Sequence, residues 1–168
     1  MRQDLLVDVI GRDAGRLIAL QGDRRTVSSL LISLAVRLQA GTKVTLIDAG
    51  DTFNAAFLNE EYHKATSIDV RNIMVARPLS AIELKDLTLR LEASIKHQNS
   101  KVLVISGLDE LFYKEPMATD DLLFLFTSVF EELLRITRTL DLVTLVGIGE
   151  HGDLAAIAGK KSDFVARV

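Results

Sequence analysis

The stretch RLIALQGDRRTVSSLLISLAVRL, residues 16–38, decides the fold. Its opening run RLIALQ is short, apolar and closed by Gly22 and Asp23, which is typical of a buried strand. Asp23 or Thr26 can cap a helix at this point, and Gly41 stands where a helix stop belongs. Between them, apolar residues recur at the spacing of one helical face: Val27, Leu30, Leu31, Leu34, Ala35 and Leu38. The stretch therefore predicts a strand, a tight turn and a helix.

The same alternation continues along the chain. Further strands are predicted by the apolar runs at residues 43–48, 71–76, 101–105, 142–148 and 164–168. Helices are predicted at residues 54–63, after the capping-box spacing of Ser80 and Glu83, and after Asp120 and Asp121. Strands that alternate with helices predict an α/β fold, a three-layer α/β/α sandwich with a mainly parallel sheet. No repeat or linker interrupts the pattern, so we expect one domain over residues 1–168.

Composition and charge exclude several classes of function. The 168 residues carry a formal net charge of −3. The overall charge therefore gives no support for nucleic-acid binding. There is no Cys, which excludes disulfides, thiol catalysis and Cys-ligated zinc. The three His residues share no ligand spacing, so no metal site is expected. The apolar runs are too short to span a bilayer, and we expect a cytoplasmic protein with no membrane partner.

The turn after the first strand lies where a phosphate-binding loop would lie in such a sheet. A P-loop reads G-x-x-x-x-G-K-[ST], and GDRRTVSS matches it at Gly22 and Ser29. Val27 replaces the second glycine, and Ser28 replaces the lysine that would contact phosphate. A helix N-terminus still attracts anions, and the Arg24-Arg25 pair could supply the missing charge. The preferred interpretation is an ordinary strand-to-helix turn with the remnant of a phosphate loop.

These segments, in this order, resemble the core of RecA-type recombinases, most closely archaeal RadA, its paralogues and the related KaiC-like proteins. The resemblance is collinear over most of the chain. It implies a RecA-like fold of the P-loop NTPase superfamily and an archaeal origin. The runs that carry it are LIALQG with the turn and LLISLAVRLQ after it, VTLIDAGDTF (44–53), NIMVAR (72–77), KVLVISGLDELF (101–112) and LVTLVGI (142–148).

The resemblance also locates what is missing besides the glycine and lysine of the turn. The family's catalytic glutamate falls on Gly50, and its Walker B aspartate, which holds magnesium, falls on Ser106. Together these losses remove phosphate charge, water activation and a metal ligand. We therefore expect no catalytic residue and no bound ATP or magnesium. Asp109 and Glu110 follow too late to replace the aspartate, and we interpret them as a surface pair that caps the next segment.

The family places two DNA-binding loops near its last strands. Residues 114–119, the counterpart of the first loop, are short and carry acidic as well as basic groups. Residues 150–161 stand in for the second loop, with Lys160 and Lys161 as the basic pair that could contact DNA. Two lysines make a weak patch, so a solvated turn is the preferred interpretation.

An aromatic-rich stretch lies between the last two long strands. Core packing explains most of it, but Tyr113 or Phe124 could belong to an interface. The members of the stretch are Phe112, Tyr113, Phe124, Phe126 and Phe130.

Three functional hypotheses follow. The first is a non-catalytic RecA-fold paralogue that acts through protein contacts, as an accessory or regulator of homologous recombination or DNA repair. Its partner would be a recombinase, a recombinase paralogue or a second copy of the chain. The second is a divergent ATPase in which Arg24 or Arg25 does the work of the lysine. The third is a KaiC-like regulatory module that senses a nucleotide or another anion.

Overall fold

The computed structural model describes residues 12–53 and 70–168, and the predicted helix at 54–63 lies outside these residues. The order of elements confirms the predicted alternation of strands and helices. The strands are β1 Arg16–Gly22, β2 Val44–Asp48, β3 Ile73–Ala76, β4 Val102–Ser106, β5 Val143–Gly149 and β6 Phe164–Arg167. The helices are α1 Arg24–Leu38, α2 Ala81–Gln98, α3 Leu108–Tyr113, α4 Thr119–Thr139 and α5 Asp153–Lys161, with a short 3₁₀ turn at Val70–Asn72.

The predicted caps fix the starts of two helices. Asp23 is the N-cap of α1, and its carboxylate accepts a hydrogen bond from the Thr26 backbone N–H at 3.0 Å. Ser80 is the N-cap of α2 and accepts from the Glu83 N–H at 3.0 Å. Each cap satisfies an N–H group that has no partner within its helix.

The six strands form one parallel sheet in the order β3-β2-β4-β5-β1-β6. Strands β2, β4 and β5 are buried along their whole length. A parallel strand covered on both faces has no solvent side, which explains why these strands read as continuous apolar runs.

Helices cover both faces of the sheet, so the expected three layers are present. From β1 the chain crosses the sheet toward β2 and β3, and from β3 it returns through β4, β5 and β6. Because such crossovers are right-handed, the two directions place their helices on opposite faces. One core cluster joins α1 to the sheet, and a second joins α2, α4 and α5 to the other face. In the part of the chain that the structure describes, no helix is long and apolar enough to cross a membrane.

The prediction that residues 150–161 form a loop is wrong, because α5 occupies most of this segment. Its buried face consists of Leu154 and the small residues Ala155 and Ala158. Alanines give a weak hydrophobic pattern, which is why the sequence did not reveal the helix. The six-residue helix α3 was also not predicted, since it spans less than two turns.

Candidate functional site

The carboxyl edge of the sheet contains two crevices. Ligands of open parallel sheets bind where neighbouring strands lead to helices on opposite faces. The turns after β1 and β5 lead to α1 and α5, which lie on opposite faces and define the β1–β5 crevice. The loops after β2 and β4 meet one another and define the β2–β4 crevice.

In the β1–β5 crevice, the N-terminus of α1 is capped by the protein's own carboxylate. Both the backbone N–H and the side-chain hydroxyl of Thr26 donate to Asp23 Oδ1, at 3.0 and 2.9 Å. The hydrogen bond from the Thr26 backbone is the main reason that the pKa of Asp23 lies below its ordinary value. A negative charge already sits where this helix would attract an anion.

Gly22, at the turn after β1, is covered by the residue that follows β6. The Val168 backbone N–H donates to the Gln21 carbonyl at 2.9 Å. A Cβ atom at Gly22 would overlap the Val168 carbonyl oxygen and would lie 3.2 Å from Cγ2 of Val27. Main chain and a branched side chain therefore crowd both sides of this turn.

Arg24 contacts two side chains in the same crevice. Its guanidinium lies 3.3 Å from Oδ2 of Asp109 and 5.1 Å from the centre of the Tyr113 ring. The Arg24 side chain is 48% exposed, whereas that of Asp109 is 1% exposed. The arginine thus covers a buried carboxylate and forms a cation–π contact.

The buried charge of Asp109 is only partly compensated by its neighbours. Its Oδ1 atom is buried and has no hydrogen-bond partner among the residues that the structure describes. Burial raises the pKa of Asp109, against the opposing effects of the Arg24 charge and of a backbone hydrogen bond from Gly149. The interpretation of Asp109 as part of a surface pair is therefore wrong, since its place in the first turn of α3 directs it inward.

The β2–β4 crevice is organised by Asp48, the last residue of β2. Its Oδ1 accepts from the Thr52 N–H at 3.0 Å and from the Ser106 hydroxyl at 2.9 Å. Its Oδ2 accepts from the Phe53 N–H at 2.8 Å and lies 3.1 Å from the Arg77 guanidinium. Asp48 is fully buried, and these four donors balance its charge.

The loops of this crevice meet at two glycines. Gly107 has a φ of +63°, and a Cβ there would lie 2.7 Å from the Gly50 Cα and 2.8 Å from Oε1 of Glu110. Only glycine fits both the left-handed backbone and the close approach. Oε1 of Glu110 also lies 3.0 Å from the position of a Cβ at Gly50. Burial, followed by the Asp109 charge, raises the pKa of Glu110.

The structure brings some predicted site residues to this edge and separates others from it. Gly50 and Ser106 lie in the β2–β4 crevice, and Ser106 donates to Asp48. Ser28 is buried, and within residues 12–53 and 70–168 its hydroxyl has no hydrogen-bond partner, whereas Arg25 and Ser29 are exposed.

Lys160 and Lys161 lie at the opposite edge of the sheet. They end α5, and the residue two positions later, Asp163, accepts from the Leu17 N–H near the start of β1. Lys161 pairs with Glu131 at 2.6 Å, and Lys160 is exposed. A DNA contact at these lysines would thus be far from the loop remnant.

The protein's own polar groups occupy the places where the resemblance would put a nucleoside triphosphate and magnesium. The turn presents the Asp23 carboxylate and the Val168 carbonyl where phosphate oxygens would need N–H donors and positive charge. At the end of β4 a hydroxyl donates to Asp48 where a carboxylate would hold the metal. Within residues 12–53 and 70–168, no group of three or more His, Asp or Glu side chains could hold a metal ion.

The sequence reasoning did not single out Asp48 and assigned Asp109 to the surface, although both carboxylates are buried. Asp48 ends an apolar strand, and the rule that ligands and polar groups gather at carboxyl strand ends would have identified it. No sequence signal indicates that Asp109 is buried, because its partner Arg24 is distant in the chain.

No protein-family model matches the sequence, and no curated protein matches it.

Proposed function

We propose that this chain is a RecA-type α/β domain that acts through protein–protein contacts and does not hydrolyse nucleotide. The observation that carries the proposal is the β1–β5 crevice, where Asp23, the Arg24–Asp109 pair and the Val168 main chain surround the loop remnant. A crevice that the protein's own groups occupy, on an intact α/β fold, supports a function through surface contacts.

The RecA-type interpretation draws support from the sheet. The strand order brings three positions to one edge: the turn after β1, Gly50 after β2 and Ser106 at the end of β4. These are the positions where the resemblance places the phosphate loop, the catalytic glutamate and the Walker B aspartate. The role in homologous recombination or DNA repair, with a recombinase, its paralogue or a second copy as partner, rests on that resemblance alone.

Titration calorimetry with ATP and magnesium, combined with thermal melting, tests the first half of the proposal. We expect no binding heat at millimolar ATP and no rise in melting temperature, because a ligand stabilises only when it binds the folded state. A pull-down with purified recombinase tests the second half and should recover a stoichiometric complex.

Two results would contradict the proposal and would identify its replacement. Micromolar ATP binding without phosphate release would favour the nucleotide-sensing module. Phosphate release that disappears in the R24A/R25A variant, but persists in R90A on the exposed side of α2, would favour the divergent ATPase.

A further inference from the structure

A cavity of about 260 Å³ opens between the end of α3, the start of α4 and the start of α5. We call it the α4–α5 cavity. Its size suits one side chain better than a nucleotide, since small-molecule sites generally begin at about 300 Å³. Its apolar lining is Met117, Leu122, Leu123 and Leu154, and its other lining residues are Tyr113, Thr119, Gly152 and Asp153.

The wall of the cavity depends on Gly152, which precedes α5. This residue has a φ of +104°, and a Cβ there would lie 2.6 Å from the Tyr113 hydroxyl. The absence of a side chain lets the Tyr113 phenol reach the turn before α5. The ring is thereby placed at the mouth of the cavity, and Tyr113 remains 46% exposed.

The lining combines three features that suit a guanidinium-bearing side chain. The Tyr113 ring already attracts the guanidinium of Arg24, at 5.1 Å. Asp153, in the first turn of α5, adds an exposed carboxylate. The leucines offer aliphatic surface of the kind that the methylenes of an arginine cover.

The surrounding charges favour a cation. Asp120 and Glu150 are exposed in the first turn of α4 and just before α5. Lys114 adds one positive charge against these acidic groups. The positive charge of Arg24 is paired with the carboxylate of Asp109. The balance of charge around the cavity is therefore negative.

We propose that the α4–α5 cavity binds an arginine side chain of a partner protein, with its methylenes against Leu122 and Leu123 and its guanidinium between Tyr113 and Asp153. Arginine fits better than lysine because the planar guanidinium can stack on the ring and form a forked pair with the carboxylate. The inference rests on the proposed function, because it names one contact through which the chain would hold its partner.

An NMR titration of the ¹⁵N-labelled chain with N-acetylarginine amide tests this proposal. The control ligand is N-acetylcitrulline amide, which has a similar shape and no charge. We expect saturable shifts of the Gly152, Asp153 and Leu122 amides with a Kd on the order of 10 mM, and at least about tenfold weaker binding of citrulline.

Substitutions in the lining test whether the ligand binds in the α4–α5 cavity. D153N should weaken arginine binding about tenfold, and Y113L should do the same through loss of the ring. The matched control is D86N, which removes an exposed acid from α2. Two-dimensional spectra of each variant show whether it is folded before it is titrated.

Three outcomes would overturn the proposal: no saturable shift up to 100 mM arginine amide (about ten times the expected Kd), equal binding of citrulline, or equal loss in D153N and D86N. None of these three outcomes depends on whether the chain binds a nucleotide. Failure here leaves the calorimetric result with ATP intact, and ATP binding would leave the arginine result intact.

Discussion

The β1–β5 and β2–β4 crevices differ in how completely their buried carboxylates are paired. In the β2–β4 crevice, Asp48 receives two backbone N–H groups, a hydroxyl and a guanidinium. In the β1–β5 crevice, Asp109 has one oxygen near Arg24, and the other has no partner in the described part of the chain. The first arrangement holds two loops together, whereas the second leaves a buried charge partly uncompensated.

This difference teaches that the two crevices contribute in opposite ways to stability. A satisfied buried network stabilises the loops that it joins, and breaking it is costly. A buried carboxylate with an unpaired oxygen stores a desolvation cost that a neutral side chain would relieve. Three substitutions measure the contrast.

The largest effect is expected for Asp48→Asn. The new amide group presents a donor where Asp48 faces only donors, and the ion pair with Arg77 is lost. We expect the free energy of unfolding to fall by about 3 kcal/mol in urea denaturation. The matched control Asp51→Asn, at a site 75% exposed, should change it by less than about 0.5 kcal/mol. Equal effects of the two substitutions would refute the view that Asp48 joins the loops.

A smaller effect is expected for Gly107→Ala. The added Cβ meets the Gly50 backbone, and the φ of +63° disfavours alanine. We expect a loss of about 2 kcal/mol by the same measurement. Gly41 has open space around it, so Gly41→Ala serves as the control and should be nearly neutral. If alanine at 107 were as well tolerated as at 41, the two loops would not be in close contact.

The smallest effect at neutral pH is expected for Asp109→Asn. Burial raises the pKa of Asp109 above its ordinary value of 3.8, so the folded state binds more protons than the unfolded state. The resulting stability is present below pH 3.8 and is lost as pH rises through the folded-state pKa.

The side chain of the Asp109→Asn variant does not titrate in this pH range. Its stability relative to the native chain should therefore improve as pH rises from about 4 to 7, and at pH 7 it should lie within about 1 kcal/mol of the native chain. Melting temperatures across this pH range, with Asp120→Asn as an exposed control, test the sign. A relative stability that worsens with pH would show that the Arg24 pair outweighs burial.

The fold was largely predictable, because the strands are apolar runs, α1 and α2 begin at side-chain caps and α4 begins with acidic residues. Ser80 was predicted as a cap from its spacing to Glu83, and Asp23 was one of two candidate caps, with Thr26, for the first helix. The helix α5 was missed because alanines bury little area and give little periodicity. The strand-to-helix turn at Gly22 was also predicted, but the sequence could not reveal that Val168 covers it, since the two residues lie far apart in the chain.

The ion pair between Arg24 and Asp109 could not be predicted from the sequence either. Arg24 was considered, with Arg25, as a cation that could help to bind an anion, and nothing in its sequence neighbourhood indicates the pairing with Asp109. Contacts between distant segments are set by the strand order, which periodicity does not report.

The position of β1 has a consequence for how the chain is made. In the sheet Arg16 lies opposite Val143, and Ile18 lies opposite Phe164. Synthesis proceeds from the N-terminus, so the first strand leaves the ribosome long before either of its neighbours exists. The side of the sheet formed by β3, β2 and β4 can pair earlier, and β1 must wait to be inserted between β5 and β6. Pairing of such distant segments is slow, because the loop between them has to close first.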